Sequence, residues 1–149
     1  MTLTVTLTRT LSHVSERRHA QGLLDTSVVV DLDDLDAEQL PIEMAVSAIT
    51  MAELAAGPHA TSDPEERARR QDRLQRTEAT FEPFPFDADA ARAYGRVYAA
   101  VVAAGRKARG ARAVDLLIAA TANAAQLPVY TRNPQDFKAL EHLVEIVAV

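Results

Sequence analysis

Cysteine is absent from all 149 residues, which excludes disulfides, thiolate zinc sites and cysteine nucleophiles together and is compatible with a reducing cytosol. An excess of basic charge is also missing. Sixteen Lys and Arg against 21 Asp and Glu leave a formal net charge of −5, so the molecule as a whole is no general polyanion binder. Long hydrophobic runs are lacking: the longest uncharged apolar stretches, such as residues 99–104 and 116–120, are far too short to span a bilayer. The first residues carry Arg9 but no apolar core followed by a small-residue cleavage site, so no secretory signal is expected. Histidines are few, and His13, His19, His59 and His142 have neither ligand nor triad spacing; surface positions are the simpler expectation. There is no internal repeat and no low-complexity segment. What is present is an ordinary globular balance, with 48% hydrophobic and 25% charged residues. The length suits a single domain, and a soluble, cytoplasmic protein without a membrane segment is the expectation.

Residues 2–8 alternate threonine with Leu3, Val5 and Leu7 in a strand-like pattern, and a polar stretch without core rhythm follows to Gln21. Residues 1–21 are therefore read as an N-terminal extension and residues 22–149 as a single domain. Gly22-Leu23-Leu24-Asp25 reads as a short buried strand ending in an acid. An acidic stretch leads to a second apolar run around Ala45-Val46. Ser47 is suited to cap a helix through Ala56, which Gly57-Pro58 ends. Asp63-Pro64-Glu65-Glu66 combines a capping side chain, a first-turn proline and a glutamate at the third position, and opens an arginine-rich outer helix. Phe84-Pro85-Phe86 is a short extended piece. Asp87 caps a helix that stops at Gly105, and residues 113–125 form the most apolar helix. Residues 128–131 and 143–149 read as two more strands, with a brief helix starting at Asn133 between them. Short apolar strands alternating with helices predict an α/β fold with a mostly parallel central sheet between two helical layers. Active sites of such sheets form at the carboxyl ends of the strands.

The acids stand in unusual company. Asp25 closes the first apolar strand, Glu53 lies inside an apolar helical stretch, and Asp115 interrupts the most apolar helix. Asp136 follows the fourth predicted strand segment, at the level of its carboxyl end. Isolated carboxylates are costly to bury, so acids in such surroundings are paired, hydrogen-bonded or metal-bound. Brought together, the four cannot all ionise without a compensating cation, and a hard divalent ion such as Mg2+ or Mn2+ suits an all-oxygen site. Taken singly, each acid also admits a structural reading. Glu53 could lie on an exposed helical stripe, Asp115 could serve the positive end of its helix, and Asp136 could belong to a capping box with Asn133. Asp25 has no local partner.

Four segments, in order, resemble the signature segments of the PIN-domain family: Leu23-Leu24-Asp25-Thr26-Ser27, the stretch Ser47 to Leu54, the stretch Ala113 to Ala122, and the stretch Tyr130 to Phe137. Within that family the chain is most similar to the VapC toxins of bacterial toxin–antitoxin pairs. The resemblance implies a PIN-like three-layer α/β/α domain and a metal-dependent endoribonuclease. It also implies that Asp25, Glu53, Asp115 and Asp136 are the catalytic metal ligands, holding Mg2+ or Mn2+, with Asn133 as the rival of Asp136. Thr26, Ser27 and Thr131, with Asn133, match positions that support the acids by hydrogen bonds. RNA substrate, a 3′-hydroxyl and 5′-phosphate product pair, a homodimer and a cognate VapB-type antitoxin are implied in the same way.

Just before Asp115, Arg106, Lys107, Arg109 and Arg112 place four positive charges in eight residues with no acid among them. This patch is the candidate RNA contact, and an ordinary solvated loop is its alternative. A response-regulator receiver would need adjacent acids at the first strand and a late lysine, and neither is present. A haloacid-dehalogenase-type phosphatase would need a second aspartate where Ser27 stands. An EF-hand in residues 31–38 fails because Leu35 occupies a ligand position. The serious alternative is a catalytically silent PIN-like module that binds RNA or a protein partner.

Overall fold

A computed structural model describes residues 19–149, so the alternating leader at residues 2–8, and with it most of the expected N-terminal extension, lies outside the described residues. Four strands form one sheet: β1 (Gln21–Leu24), β2 (Glu43–Val46), β3 (Val129–Thr131) and β4 (Ile146–Ala148). The order is β2-β1-β3-β4 and every pairing is parallel. Among the described residues five α-helices accompany them: α1 (Thr26–Val30), α2 (Ala48–Ala56), α3 (Pro64–Thr80), α4 (Ala88–Ala103) and α5 (Ala111–Ala125). A 3₁₀ helix at Pro134–Leu140 precedes β4. Among the described residues no helix is long and apolar enough to cross a membrane.

The period-two alternation of the strands divides the core. Leu23, Ala45 and Val129 point to one face, where they pack with Ala93, Val97 and Val101 of α4 and Leu116 and Ala119 of α5. Leu24, Val46 and Tyr130 point to the other, against Val28 and Val29 of α1 and Leu54 of α2. Both faces of the sheet are thus covered, which a parallel sheet requires. Each fully buried Leu or Val contributes roughly 1.5–3 kcal/mol relative to exposure. Gly22 has a specific reason to be glycine: a Cβ there would stand 2.5 Å from the Tyr130 ring.

The capping side chains act where their residue types predict. Ser47 Oγ accepts from the Thr50 amide, and Asp63 and Asp87 accept from the amides of Glu65 and Ala90. Phe84 pairs in parallel with Ser47 at the outer edge of β2. Helix α2 ends at Ala56 as expected, with Gly57 as its C-cap leading into a 3₁₀ turn at Gly57–Ala60. One local expectation is revised. Glu66 does not reach back to close a capping box; its carboxylate is taken by Arg69 and Arg70. On α4, Ala93, Val97 and Val101 are buried while Tyr98 and Val102 are exposed, so its apolar surface is wider than the core needs.

Candidate active site

The register sets the site. Leu24 pairs with Val46 on one side and with Tyr130 on the other, so Asp25, Ser47 and Thr131 leave three neighbouring strands at one level. The chain also reverses its direction of travel across the sheet between β1 and β3, the switch point at which open α/β sheets bind ligands.

Asp25 is buried and is the N-cap of α1. One carboxylate oxygen accepts from Ser27 Oγ at 2.5 Å and from the Val28 amide at 3.2 Å. The other accepts from Thr131 Oγ1 at 2.6 Å, across the switch point. These donors are themselves held: Ser27 Oγ accepts from the Arg132 amide and Thr131 Oγ1 from the Asn133 amide. Burial pushes the Asp25 carboxyl above its ordinary range, and the hydrogen bonds of Ser27, Thr131 and Val28 oppose that push.

Glu53 reaches the same place from α2. Its Oε1 accepts from Thr26 Oγ1 at 2.5 Å. Thr26 Oγ1 lies 3.1 Å from Thr50 Oγ1, which lies 3.4 Å from Ser47 Oγ. Each hydroxyl owns one proton, and the Ser47 oxygen already accepts the Thr50 amide. Because the Glu53 carboxylate can only accept, it takes the one proton of Thr26, and the donations then run from Ser47 to Thr50 to Thr26 to Glu53.

Asp115 differs from both. Helix α5 begins at Ala111 and not at residue 113, which moves Asp115 into the second turn and removes a helix-end role. It makes no hydrogen bond or ion pair among the described residues. Its pKa is raised to about 7, first by burial, then by the charges of Asp136, Asp25 and Glu53, with Arg112 opposing. Asp136, half-buried on the 3₁₀ helix, faces the same space.

A cavity of about 570 Å³ joins these groups, lined by Asp25, Thr26, Ser27, Glu53, Asp115, Asn133 and Asp136 together with Val30, Asp31 and Arg132. All four acids singled out in the sequence, and three of their four supporting residues, are brought together there; Thr131 lies buried directly behind Asp25. The cavity is an open cleft of anionic oxygens, and no three His, Cys, Asp or Glu side chains of the described residues stand close enough to close around one ion. Asn133 supports the cluster by its backbone amide, and its side chain makes no capping bond. Arg106, Lys107, Arg109 and Arg112 do not line the cavity. Arg106 donates instead to the Gln135 carbonyl at 3.2 Å, next to Asp136, and Arg112 acts on Asp115 through its charge.

Sequence reasoning missed three participants. Thr50 and the side chain of Ser47 extend the hydroxyl chain, and a threonine three residues before a buried-face glutamate was the available signal. Asp31 pairs with Arg132 at 3.5 Å on the rim; its position at the end of α1, six residues after Asp25, becomes meaningful only once α1 exists.

With this geometry in place, comparison with known proteins is specific. A model of the PIN domain matches residues 22–143. The chain is 38% identical over 135 residues to Ribonuclease VapC5 of Mycobacterium tuberculosis, an alignment covering 87% of this chain and 96% of that protein. The crystal structure of VapBC-5, a member of the VapBC family of toxin–antitoxin systems from the same organism, is similar at a TM-score of 0.77 and 39% identity, covering 87% of this chain and 99% of that one. FitAcB from Neisseria gonorrhoeae is similar at a TM-score of 0.61 and 29% identity, covering 83% and 94%. The strand-end acids thus sit in the fold their sequence segments resemble, and the chain belongs to the PIN-domain family.

Proposed function

We propose that the chain is a metal-dependent endoribonuclease, the toxin of a toxin–antitoxin pair, hydrolysing RNA phosphodiester bonds in the acidic cleft. One observation carries the reading: Asp25, Glu53, Asp115 and Asp136 line a single cavity, and burial together with the charges of the other three lifts Asp115 to about 7. Such a cluster is short of positive charge. Its donor chemistry, all oxygen and anionic, fits Mg2+ or Mn2+, and these four acids would draw together from their open arrangement to hold the ion. When bound, a divalent ion supplies the water activation and charge neutralisation that phosphodiester hydrolysis needs.

The chain's own residues do the positioning. Ser27 and Thr131 fix both oxygens of Asp25, and Thr26 fixes Glu53. Asp115 carries no such restraint and is the carboxylate able to change its protonation as charge enters the cleft. Products with a 3′-hydroxyl and a 5′-phosphate follow from the family resemblance. A VapB-type antitoxin as partner is supported by the likeness to VapBC structures, and a basic antitoxin side chain would meet complementary charge in the cleft. A homodimer is supported by the exposed pair Tyr98 and Val102, one turn apart on α4. The cytoplasm is the compartment this reading implies.

The test is cleavage of total bacterial RNA by purified, antitoxin-free protein with Mg2+ or Mn2+, with EDTA, and by Asp115→Asn. Discrete cleavage that needs the metal and vanishes in the variant is the expected result. Absence of cleavage by folded, metal-loaded protein would replace the reading with that of a silent binding module.

A further inference from the structure

The arginines of α3 are not equivalent. Arg67 donates to the carbonyls of Pro58 and Thr61, and Arg70 to the Gly57 carbonyl and to Glu66. Arg69 also binds Glu66, and Arg76 pairs with Asp72 and Asp33. The hydrogen bonds of Arg69 and Arg70 hold the Glu66 carboxyl below its usual range, so that acid is already committed. Of the five, the guanidinium of Arg73 alone makes no hydrogen bond or ion pair among the described residues, although the residue is half-buried; its carbonyl accepts from Thr77 Oγ1.

Its position gives this meaning. Arg73 lines a second cavity, of about 290 Å³, between α1, α2 and α3. That cavity shares Thr26, Val30 and Glu53 with the acidic cleft, so the two lie side by side with these residues between them. Its wall is part apolar, formed by Leu54 and by Val30, which is 41% exposed at the junction. An RNA strand whose scissile phosphodiester lies among the acids must lead its neighbouring nucleotides out of an anionic cleft. The exit toward α3 offers an apolar surface for a sugar or base and one uncommitted guanidinium for a phosphate.

We propose that this second cavity is the subsite for a nucleotide flanking the scissile bond, with Arg73 binding its phosphate. The proposal rests on the ribonuclease reading and names a substrate contact for it. It also shifts attention from the 106–112 loop, whose Arg106 is already bonded to a backbone carbonyl.

The probe is a fluorescein-labelled single-stranded RNA 12-mer of random sequence, titrated in Ca2+ and in EDTA by anisotropy at several salt concentrations. Arg73→Ala is expected to weaken binding about 5–10-fold and to lower the slope of log K against log salt by about one. Arg73→Lys should keep most of the affinity, and Arg92→Ala, an exposed arginine of α4 tied to Asp89 and away from the cavity, should leave it unchanged. Melting curves of each variant separate lost contact from lost fold. Wild-type binding that Arg73→Ala and Arg73→Gln leave unaltered, with the same salt slope, would overturn the subsite. Weakened capture of a co-expressed antitoxin with unaltered RNA binding would also overturn it, in favour of a protein contact. Failure of the folded wild type to bind or cleave any RNA would instead remove the ribonuclease reading beneath it.

Discussion

Asp25 and Asp115 face the same cleft from opposite kinds of support. Asp25 grows out of a strand and accepts three hydrogen bonds from Ser27, Val28 and Thr131. Asp115 projects from the second turn of α5 with no such donor, and burial plus three neighbouring acids raise it to about 7. The strand side of the site is therefore finished before any ligand arrives, whereas the helix side stores repulsion that only incoming positive charge relieves. Pre-organisation and responsiveness are divided between two residues of the same chemical type.

The sharpest way to break the contrast is to remove each acid. Asp115→Asn should reduce metal-dependent RNA cleavage by roughly 10²–10³-fold or more while leaving the metal-free protein at least as stable as wild type. Asp25→Ala should lose activity to the same degree and also cost about 1–3 kcal/mol, because the α1 cap goes and the buried Thr131 and half-buried Ser27 hydroxyls lose their acceptor. Cleavage assays beside urea unfolding decide this, and equal stability losses in both variants would end the contrast.

Removing the donors is the next step down. Thr26→Val and Thr131→Val should each lower cleavage about 10–100-fold, the usual scale for groups that orient a ligand. Serine at either position should restore most of it. Only Thr131→Val should also destabilise the fold, since Thr131 is fully buried and holds the Asn133 amide as well. Gly22→Ala tests the strand side from its far end. The added methyl would meet the Tyr130 ring, and a loss of about 1–3 kcal/mol is expected in thermal or chemical unfolding.

The smallest effect is the pH response. Asp115 titrates at about 7 in the fold against an ordinary 3.8. It therefore favours the folded state fully below about 3.8, and that contribution is lost as pH rises through about 7. In EDTA the melting temperature of Asp115→Asn should gain on wild type between pH 5 and pH 8, and Mg2+ or Mn2+ should narrow the gap at pH 8. A gap that does not change with pH would contradict the charge-crowded helix side.

Much of this was legible in the chain because local chemistry and global fold agree. Ser47, Asp63 and Asp87 are capping types immediately before helical rhythm, and each caps. The acids were conspicuous because Asp25, Glu53 and Asp115 interrupt apolar surroundings. Other features had no local signal. Helix α1 is five residues containing three valines, a β-branched run with poor helix propensity; Asp25 capping and packing of Val28 and Val29 override that preference. The hydroxyl chain joins Thr26 to Thr50 across 24 positions, a distance that only β1–β2 pairing closes. The basic loop looked like one patch in the sequence, yet the fold commits Arg106 to a carbonyl and leaves Arg73, on a helix whose charges appear balanced, unpaired among the described residues.

The one-way order of donors from Ser47 to Glu53 has a consequence for the commonest control experiment. With a glutamine at position 53 that constraint lapses: Thr26 can donate to the amide oxygen, or accept from the amide nitrogen and pass its own proton to Thr50. Glu53→Gln is thus no blank substitution: it removes a negative charge from the cleft and frees the hydroxyl chain to reverse. Asp115 should titrate lower in that variant, and an NMR titration of its carboxyl would read the protein's wiring directly.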